Sequence, residues 1–173
     1  EQAARVIAEE SSRLYDAMHG LIPRLAPLVL DAFGLADALR DLAERTRRSQ
    51  PQASVELQVD LGDVRLGNEA TLALYRAAQE GMTNALRHGQ ASRLQVSLRA
   101  EAGGARLEVR DDGVGLAPGW REKAAEDGGH FGLRWLTERV EALGGRMRIA
   151  DAAPRGVELQ VWVPFTAAEG EES

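Results

Sequence analysis

Apolar residues recur along this chain in two rhythms, one of three to four residues and one of two, and the switches between them outline its elements. From Glu1 to about Gly20, Ala4, Ile7, Ala8, Leu14 and Ala17 fall at helical intervals, with Glu9 and Glu10 between them. Pro23 and Pro27 interrupt that pattern, because each removes a backbone donor and disfavours helix at the residue before it. A second helix is expected from about Leu35 to Arg48, with Leu35, Leu39 and Leu42 near one face and Pro51 closing the unit. Val55, Leu57 and Val59 then alternate with polar residues over Ser54 to Leu61, the period of a half-buried strand.

The longest helical pattern runs from Asn68 to Gly89, with Asn68 or Thr71 as candidate caps and Gly89 as the stop. Leu94 to Leu98 and Leu107 to Val109 alternate as two strands of a hairpin that turns around Gly103 and Gly104. Asp111 to Gly129 is rich in Gly, Pro and charge without a period, and a loop of this length is usually functional. Helical spacing returns from Phe131 to Leu143 and ends at Gly144 and Gly145, as a left-handed cap requires. Met147 to Ile149 and Val157 to Val163 give a last strand pair around Pro154 and Gly156. The pattern predicts an α+β fold: mostly antiparallel strands in one sheet, with two main helices covering a single face. The expected organisation is a helical segment over 1–50, a domain over 51–166 and a disordered tail over 167–173.

Composition narrows the function classes. The chain has 173 residues, enough for one ordinary domain and a smaller appended element. Its 44% hydrophobic and 28% charged residues match a soluble globular protein. No apolar run approaches the roughly 20 residues that cross a bilayer. The chain opens at Glu1 rather than Met, so it is expected to be part of a longer protein, with any sensor or membrane portion upstream. A net charge of −6 argues against a nucleic-acid partner, which needs clustered positive charge. There are no cysteines, which excludes disulfides, thiolate zinc sites and cysteine nucleophiles and fits a cytoplasmic location. His19, His88 and His130 lack metal-ligand spacing, so a zinc enzyme is not expected.

Three constellations carry candidate chemistry. Glu80, Asn84, Arg87 and His88 stand at i, i+4, i+7 and i+8 of the long helix and project from one side. The Asn84 oxygen could complete a hard octahedral ion, and Arg87 and His88 could meet phosphate oxygens; the other reading is a solvated helix face. Asp111-Asp112-Gly113-Val114-Gly115 follows the strand Arg106 to Arg110. A carboxylate only accepts hydrogen bonds, so it matches the amino group of adenine and opposes the carbonyl of guanine. Alone, this stretch is equally an ordinary turn. Gly128-Gly129-His130-Phe131-Gly132 leads into a helix, whose first amides attract phosphate, although a flexible hinge has the same composition. A phosphate loop with the G-K-[ST] signature is absent, since Lys123 is the sole lysine and Glu122 precedes it.

In this order, the three constellations resemble the GHKL ATPases, the superfamily of sensor histidine kinases, DNA gyrase, mismatch-repair ATPases and heat-shock chaperones. Gln79 to His88 (Q-E-G-M-T-N-A-L-R-H) is similar to the kinase N box, Asp111 to Gly115 to the G1 box, and Gly128 to Leu133 (G-G-H-F-G-L) to the G2 box. The short lid, the L-T-E-R-V-E-A-L-G-G stretch from Leu136 and the L-D-A-F-G-L-A-D-A-L segment from Leu30 to Leu39 resemble the nitrate-sensor and degradation-sensor class of histidine kinases. The resemblance covers roughly Val55 to Pro164 and implies a two-layer α/β sandwich of the Bergerat type, preceded by part of a dimerisation helix. It implies an ATP-dependent protein histidine kinase with Mg2+, a response regulator as partner, and a homodimeric, membrane-anchored full-length protein.

By position, the resemblance makes Glu80 the general base and Asn84 the magnesium ligand. Arg87 and His88 become phosphate contacts, and Asp111 the adenine-reading acid in a pocket shaped by Gly113 and Gly115. Gly129, His130, Gly132 and Leu133 fall at lid positions near the nucleotide. Two departures stand out. Where many relatives have Gly-Thr this chain has Gly156-Val157, so a hydroxyl beside Asp111 is missing. His19 is followed by Gly20 rather than by an acid, so the phosphoacceptor is expected outside this chain. Competing readings are an anti-sigma-type serine kinase and a non-catalytic nucleotide-binding or partner-binding domain.

Overall fold

The computed structural model describes residues 26–64, 66–120 and 131–165. The helix expected over Glu1 to Gly20, the acidic tail, Gly129 and His130 lie outside the described residues. The elements, in chain order, are α1 (Ala26–Ser49), β1 (Ser54–Asp60), α2 (Asn68–Arg87), β2 (Arg93–Glu101), β3 (Gly104–Asp111), α3 (Phe131–Ala142), β4 (Arg146–Asp151) and β5 (Val157–Pro164).

The strands form one sheet in the order β1-β2-β3-β5-β4. β1 runs parallel to β2, the pair flanking α2 in sequence, and every other pairing is antiparallel. Alternation sets the faces: Leu94, Val96 and Leu98 of β2, Leu107 and Val109 of β3, and Leu159, Val161 and Val163 of β5 are all buried toward the helices. Charged side chains line the opposite side of the same strands, paired as Arg93 with Glu56 and as Arg99 and Arg106 with Glu101. The apolar face therefore requires a helical cover. Leu74, Leu136 and Val140 supply it from α2 and α3, and each full burial of such a side chain contributes about 1.5–3 kcal/mol.

Three boundaries depart from the sequence expectation. The helical run begins at Ala26, ahead of the helix expected from Leu35, with Pro27 in its first turn, where the missing N–H would be unpaired in any case. It breaks at Gly34, whose φ of 77° and ψ of 172° interrupt the helical run, so the segment is two helices joined at a kink. α1 also adds a third helix to the expected two, packing on α2 and β1. Arg45 reaches the Tyr75 hydroxyl at 3.2 Å, and Arg47 donates to the Val55 carbonyl at 2.6 Å. Neither Asn68 nor Thr71 caps α2: Gly67 holds the cap position without a side-chain bond, and the Thr71 amide donates to the Gly67 carbonyl. The end of α3 follows the expectation, with Gly144 at a φ of 74° and the amides of Gly144 and Gly145 closing on the carbonyls of Glu141 and Val140.

Gly81 sets the separation between α2 and the sheet. A Cβ there would lie 3.0 Å from a Leu159 methyl and 3.1 Å from Val109, so only a glycine lets the helix approach this closely without displacing those side chains. Nearly two turns further on, α2 ends beside the C-terminal end of β3, and a cavity opens between them.

Candidate nucleotide site

The period-two register of β3 continues one step beyond its hydrophobes. Leu107 and Val109 face the core, and Asp111 takes the next inward position, opposite Leu94 on β2. A carboxylate therefore stands where the strand pattern calls for an apolar side chain, and it is only 7% exposed. Burial pushes its pKa up, as does the neighbouring charge of Asp112, while hydrogen bonds from the backbone amides of Gly113 and Val157 oppose the rise. The Gly113 amide donates to Asp111 Oδ1 at 2.7 Å. The missing hydroxyl at position 157 thus leaves a main-chain donor in place.

The turn after β3 is built by contacts that exclude side chains. A Cβ on Gly113 would fall 2.3 Å from the Gly89 carbonyl oxygen, which also accepts from the Val114 amide at 2.9 Å. Gly115 has a φ of 83°, and a Cβ there would lie 2.9 Å from Asp151 Oδ1. That same oxygen accepts from the Leu116 amide at 2.7 Å. Asp112 ties the turn to the loop after α2: its Oδ1 accepts from the Ser92 and Arg93 amides, both at 2.8 Å, and its Oδ2 from the Ser92 hydroxyl at 2.7 Å. Partial burial raises its pKa, but these bonds and the nearby Arg155 outweigh it and bring the carboxyl down to about 2.

These braces shape a cavity of about 440 Å³. Gly81, Ala85, Val109, Ile149 and Leu159 make an apolar floor, and Val114, Leu116, Pro118, Trp120 and Leu133 form the lip. Asn84, His88 and Asp111 are its polar side chains. Apolar walls around one buried acceptor fit a flat heteroaromatic ring that offers an amino group.

Of the residues singled out in the sequence, Asn84, His88, Asp111, Gly115 and Leu133 line this cavity. Gly113 acts through its amide. Glu80 lies outside, in an adjoining groove, where it accepts from Asn84 Nδ2 at 3.1 Å; Gly132 sits so close that a Cβ would lie 3.0 Å from the carboxylate. Arg87 is exposed and does not line the cavity. Sequence reasoning gave no site role to Asp112, Asp151, Gly89 or the Val157 amide. Asp151 and Val157 come from strands 35 or more residues away, and Asp112 reads as the second residue of a turn.

Fold and cavity together define an α+β nucleotide-binding domain. The chain belongs to the histidine kinase-, DNA gyrase B- and HSP90-like ATPase family, whose model matches residues 69–167. It is 32% identical over 174 residues to the nitrate/nitrite sensor protein NarQ of Escherichia coli, covering 99% of this chain and 29% of that protein. It is 29% identical over 142 residues to the signal transduction histidine-protein kinase/phosphatase DegS of Bacillus subtilis, covering 81% of this chain and 36% of that one. The fold is similar to the histidine kinase domain of the Erythrobacter litoralis EL346 blue-light activated histidine kinase, with a TM-score of 0.61 at 21% identity over 76% of this chain and 61% of that one. The chain spans less than half the length of these curated relatives.

Among the described residues no group of three or more His, Asp or Glu side chains could hold a metal, and no helix is long and apolar enough to cross a membrane. Asn84 can present an oxygen to the cavity. The Glu80 carboxylate can only accept, so the Asn84 nitrogen must face it, which leaves the carboxamide oxygen unspent.

Proposed function

We propose that this chain is the ATP-binding catalytic portion of a two-component sensor histidine kinase, acting on a histidine outside residues 1–173 from which a response regulator takes the phosphoryl group. The observation that carries the reading is the buried Asp111 carboxylate, held by the Gly113 and Val157 amides at an apolar cavity. Adenine stacks between Val109 and Leu159 beneath and the Leu116 to Trp120 lip above, with its amino group on Asp111. The triphosphate runs toward His88 and Gly132 at the start of α3, and Arg87 meets it from outside the cavity; the resemblance makes Gly129 and His130 lid residues.

Asn84 would offer its oxygen to a magnesium ion, which when bound would neutralise phosphate charge. The imidazole nitrogen of the acceptor attacks the γ-phosphorus, the bond to the β,γ-bridging oxygen breaks, and ADP leaves. Glu80 takes the imidazole proton. The full-length protein is read as a membrane-anchored homodimer with this domain in the cytoplasm.

Calorimetric titration with ATP and Mg2+ tests the site. Binding by the wild type and a loss of roughly tenfold to a hundredfold in Asp111→Asn support the reading; equal affinities overturn it. Labelled ATP then tests the reaction, through acid-labile phosphate on the histidine of the upstream segment.

A further inference from the structure

Asp111 does not face the nucleotide cavity alone. β3 and β5 pair antiparallel with Arg110 opposite Glu158, so the next step of the register sets Val157 opposite Asp111. The alternation that turns Leu159, Val161 and Val163 inward turns Val157 inward with them. Its amide donates to the Asp111 side chain, and Val157 itself lines the cavity. Acid and valine thus stand side by side at the end of the sheet, and a ring whose amino group lies on Asp111 brings the atom beside that group over Val157.

Which atom this is follows from where the rest of the nucleotide goes. The other polar side chains of the cavity are Asn84 and His88, at the end of α2. The loop that follows them leads into β2, the neighbour of β3 on the side away from β5, and its Gly89 carbonyl accepts from the Val114 amide. Sugar and phosphates run toward that side and carry the five-membered ring of adenine with them, so N1 of the six-membered ring is left on the side of β5. N1 has a lone pair and no hydrogen, and it needs a donor. Val157, Ile149 and Leu159 have no polar side-chain atom to offer. The amides nearby are already spent: Gly113 and Val157 on Asp111, Val114 on Gly89, and Leu116 on Asp151. An acceptor that leaves water for such a wall loses a hydrogen bond and gains none.

We infer that Val157 is a specificity-determining residue of the nucleotide site: the ring is chosen by its amino group through Asp111 while N1 goes unread, so a purine with CH in place of N1 binds on equal terms with adenine. The inference rests on the adenine reading of Asp111 given above. It names the class of ligand the site takes, a flat ring with an amino group and an apolar edge beside it.

The test compares ADP with 1-deaza-ADP, which has CH at N1, by calorimetry on the full-length protein with Mg2+, so that no phosphoryl transfer disturbs the binding. The wild type is expected to hold the two within about twofold of each other. Val157→Thr keeps the shape and adds a donor; it is expected to tighten ADP roughly threefold to tenfold and 1-deaza-ADP by less than about twofold. Both nucleotides carry the amino group, so an effect of the new hydroxyl on Asp111 moves both alike, and only a contact with N1 separates them. Wild-type protein that binds ADP about tenfold or more tighter than the analogue overturns the inference, because a donor such as the Gly115 amide then already reads N1. A Val157→Thr protein that melts like the wild type and changes both affinities equally, or neither, overturns it as well. The adenine reading fails separately: if Asp111→Asn leaves ADP affinity unchanged, or the wild type binds neither nucleotide, that reading is overturned and the inference with it.

Discussion

Gly156 presses against the backbone of Asp111 so closely that a Cβ at position 156 would lie 1.9 Å from the Asp111 carbonyl oxygen and 2.9 Å from its Oδ1. The turn between β4 and β5 thus clamps the acid on which the nucleotide site depends. Gly156→Ala must move the main chain of one strand or the other, and its φ of 98° adds strain. A loss of at least about 3 kcal/mol is expected in urea unfolding, together with loss of ATP binding. Gly103→Ala is the control: its φ is similarly positive at 76°, but a Cβ there meets nothing within 4 Å. It should cost only about 1–2 kcal/mol and leave the site intact.

Stability and binding should separate at Asp111. Its folded-state pKa is raised by burial, so the protonated form is the one that suits the fold. Its favourable contribution is present below the unfolded pKa and is lost as pH rises through the folded value; at neutral pH the ionised carboxylate costs stability. Asp111→Asn keeps the shape and an oxygen for the Gly113 amide. Thermal melting at pH 7 is expected to place this variant at or above the wild type, although its ATP affinity falls. A variant that both melts earlier and binds normally contradicts both halves of this account.

Asp112 carries the opposite sign. Its pKa is held at about 2, so its bonds to Ser92 and Arg93 stabilise the fold above the ordinary carboxylate range and are lost as pH falls through that lower value. Asp112→Asn is expected to lose on the order of 1–2 kcal/mol at pH 7. The gap to the wild type should narrow between about pH 4 and pH 2, and a gap constant over that range would mean that the charge contributes nothing.

How much of this could be seen in the chain depends on whether a feature is local. The hairpin at Gly103 and Gly104 and the stop at Gly144 and Gly145 arise from residues within a few positions of one another, and the structure follows the expectation there. Asp111, Gly115 and Asn84 were legible because an acid, a glycine and a carboxamide stand out against their own strand and helix. Asp151 was not legible, because its role exists only once β4 comes to lie beside the turn after β3. The helical stretch ahead of Gly34 and the uncapped start of α2 were misread for a related reason. Helix spacing shows which face is apolar, but φ values and cap bonds are decided by what the segment packs against.

Glu80 and Gly132 supply the most direct test of the chemistry. A Cβ on Gly132 would lie 3.0 Å from the Glu80 carboxylate, a contact that the end of a flexible side chain can relieve by turning away. Gly132→Ala should therefore leave the fold and the adenine end of the site unchanged while displacing the carboxylate from Asn84 and from its groove. The expected result is a fall in phosphotransfer of roughly tenfold or more at saturating ATP, with ATP affinity within about twofold. Glu80→Gln, which keeps the size and removes the base, should produce a loss at least as large. If Gly132→Ala transfers at the wild-type rate, the position of the Glu80 carboxylate does not limit the reaction, and the assignment of Glu80 as general base fails with it.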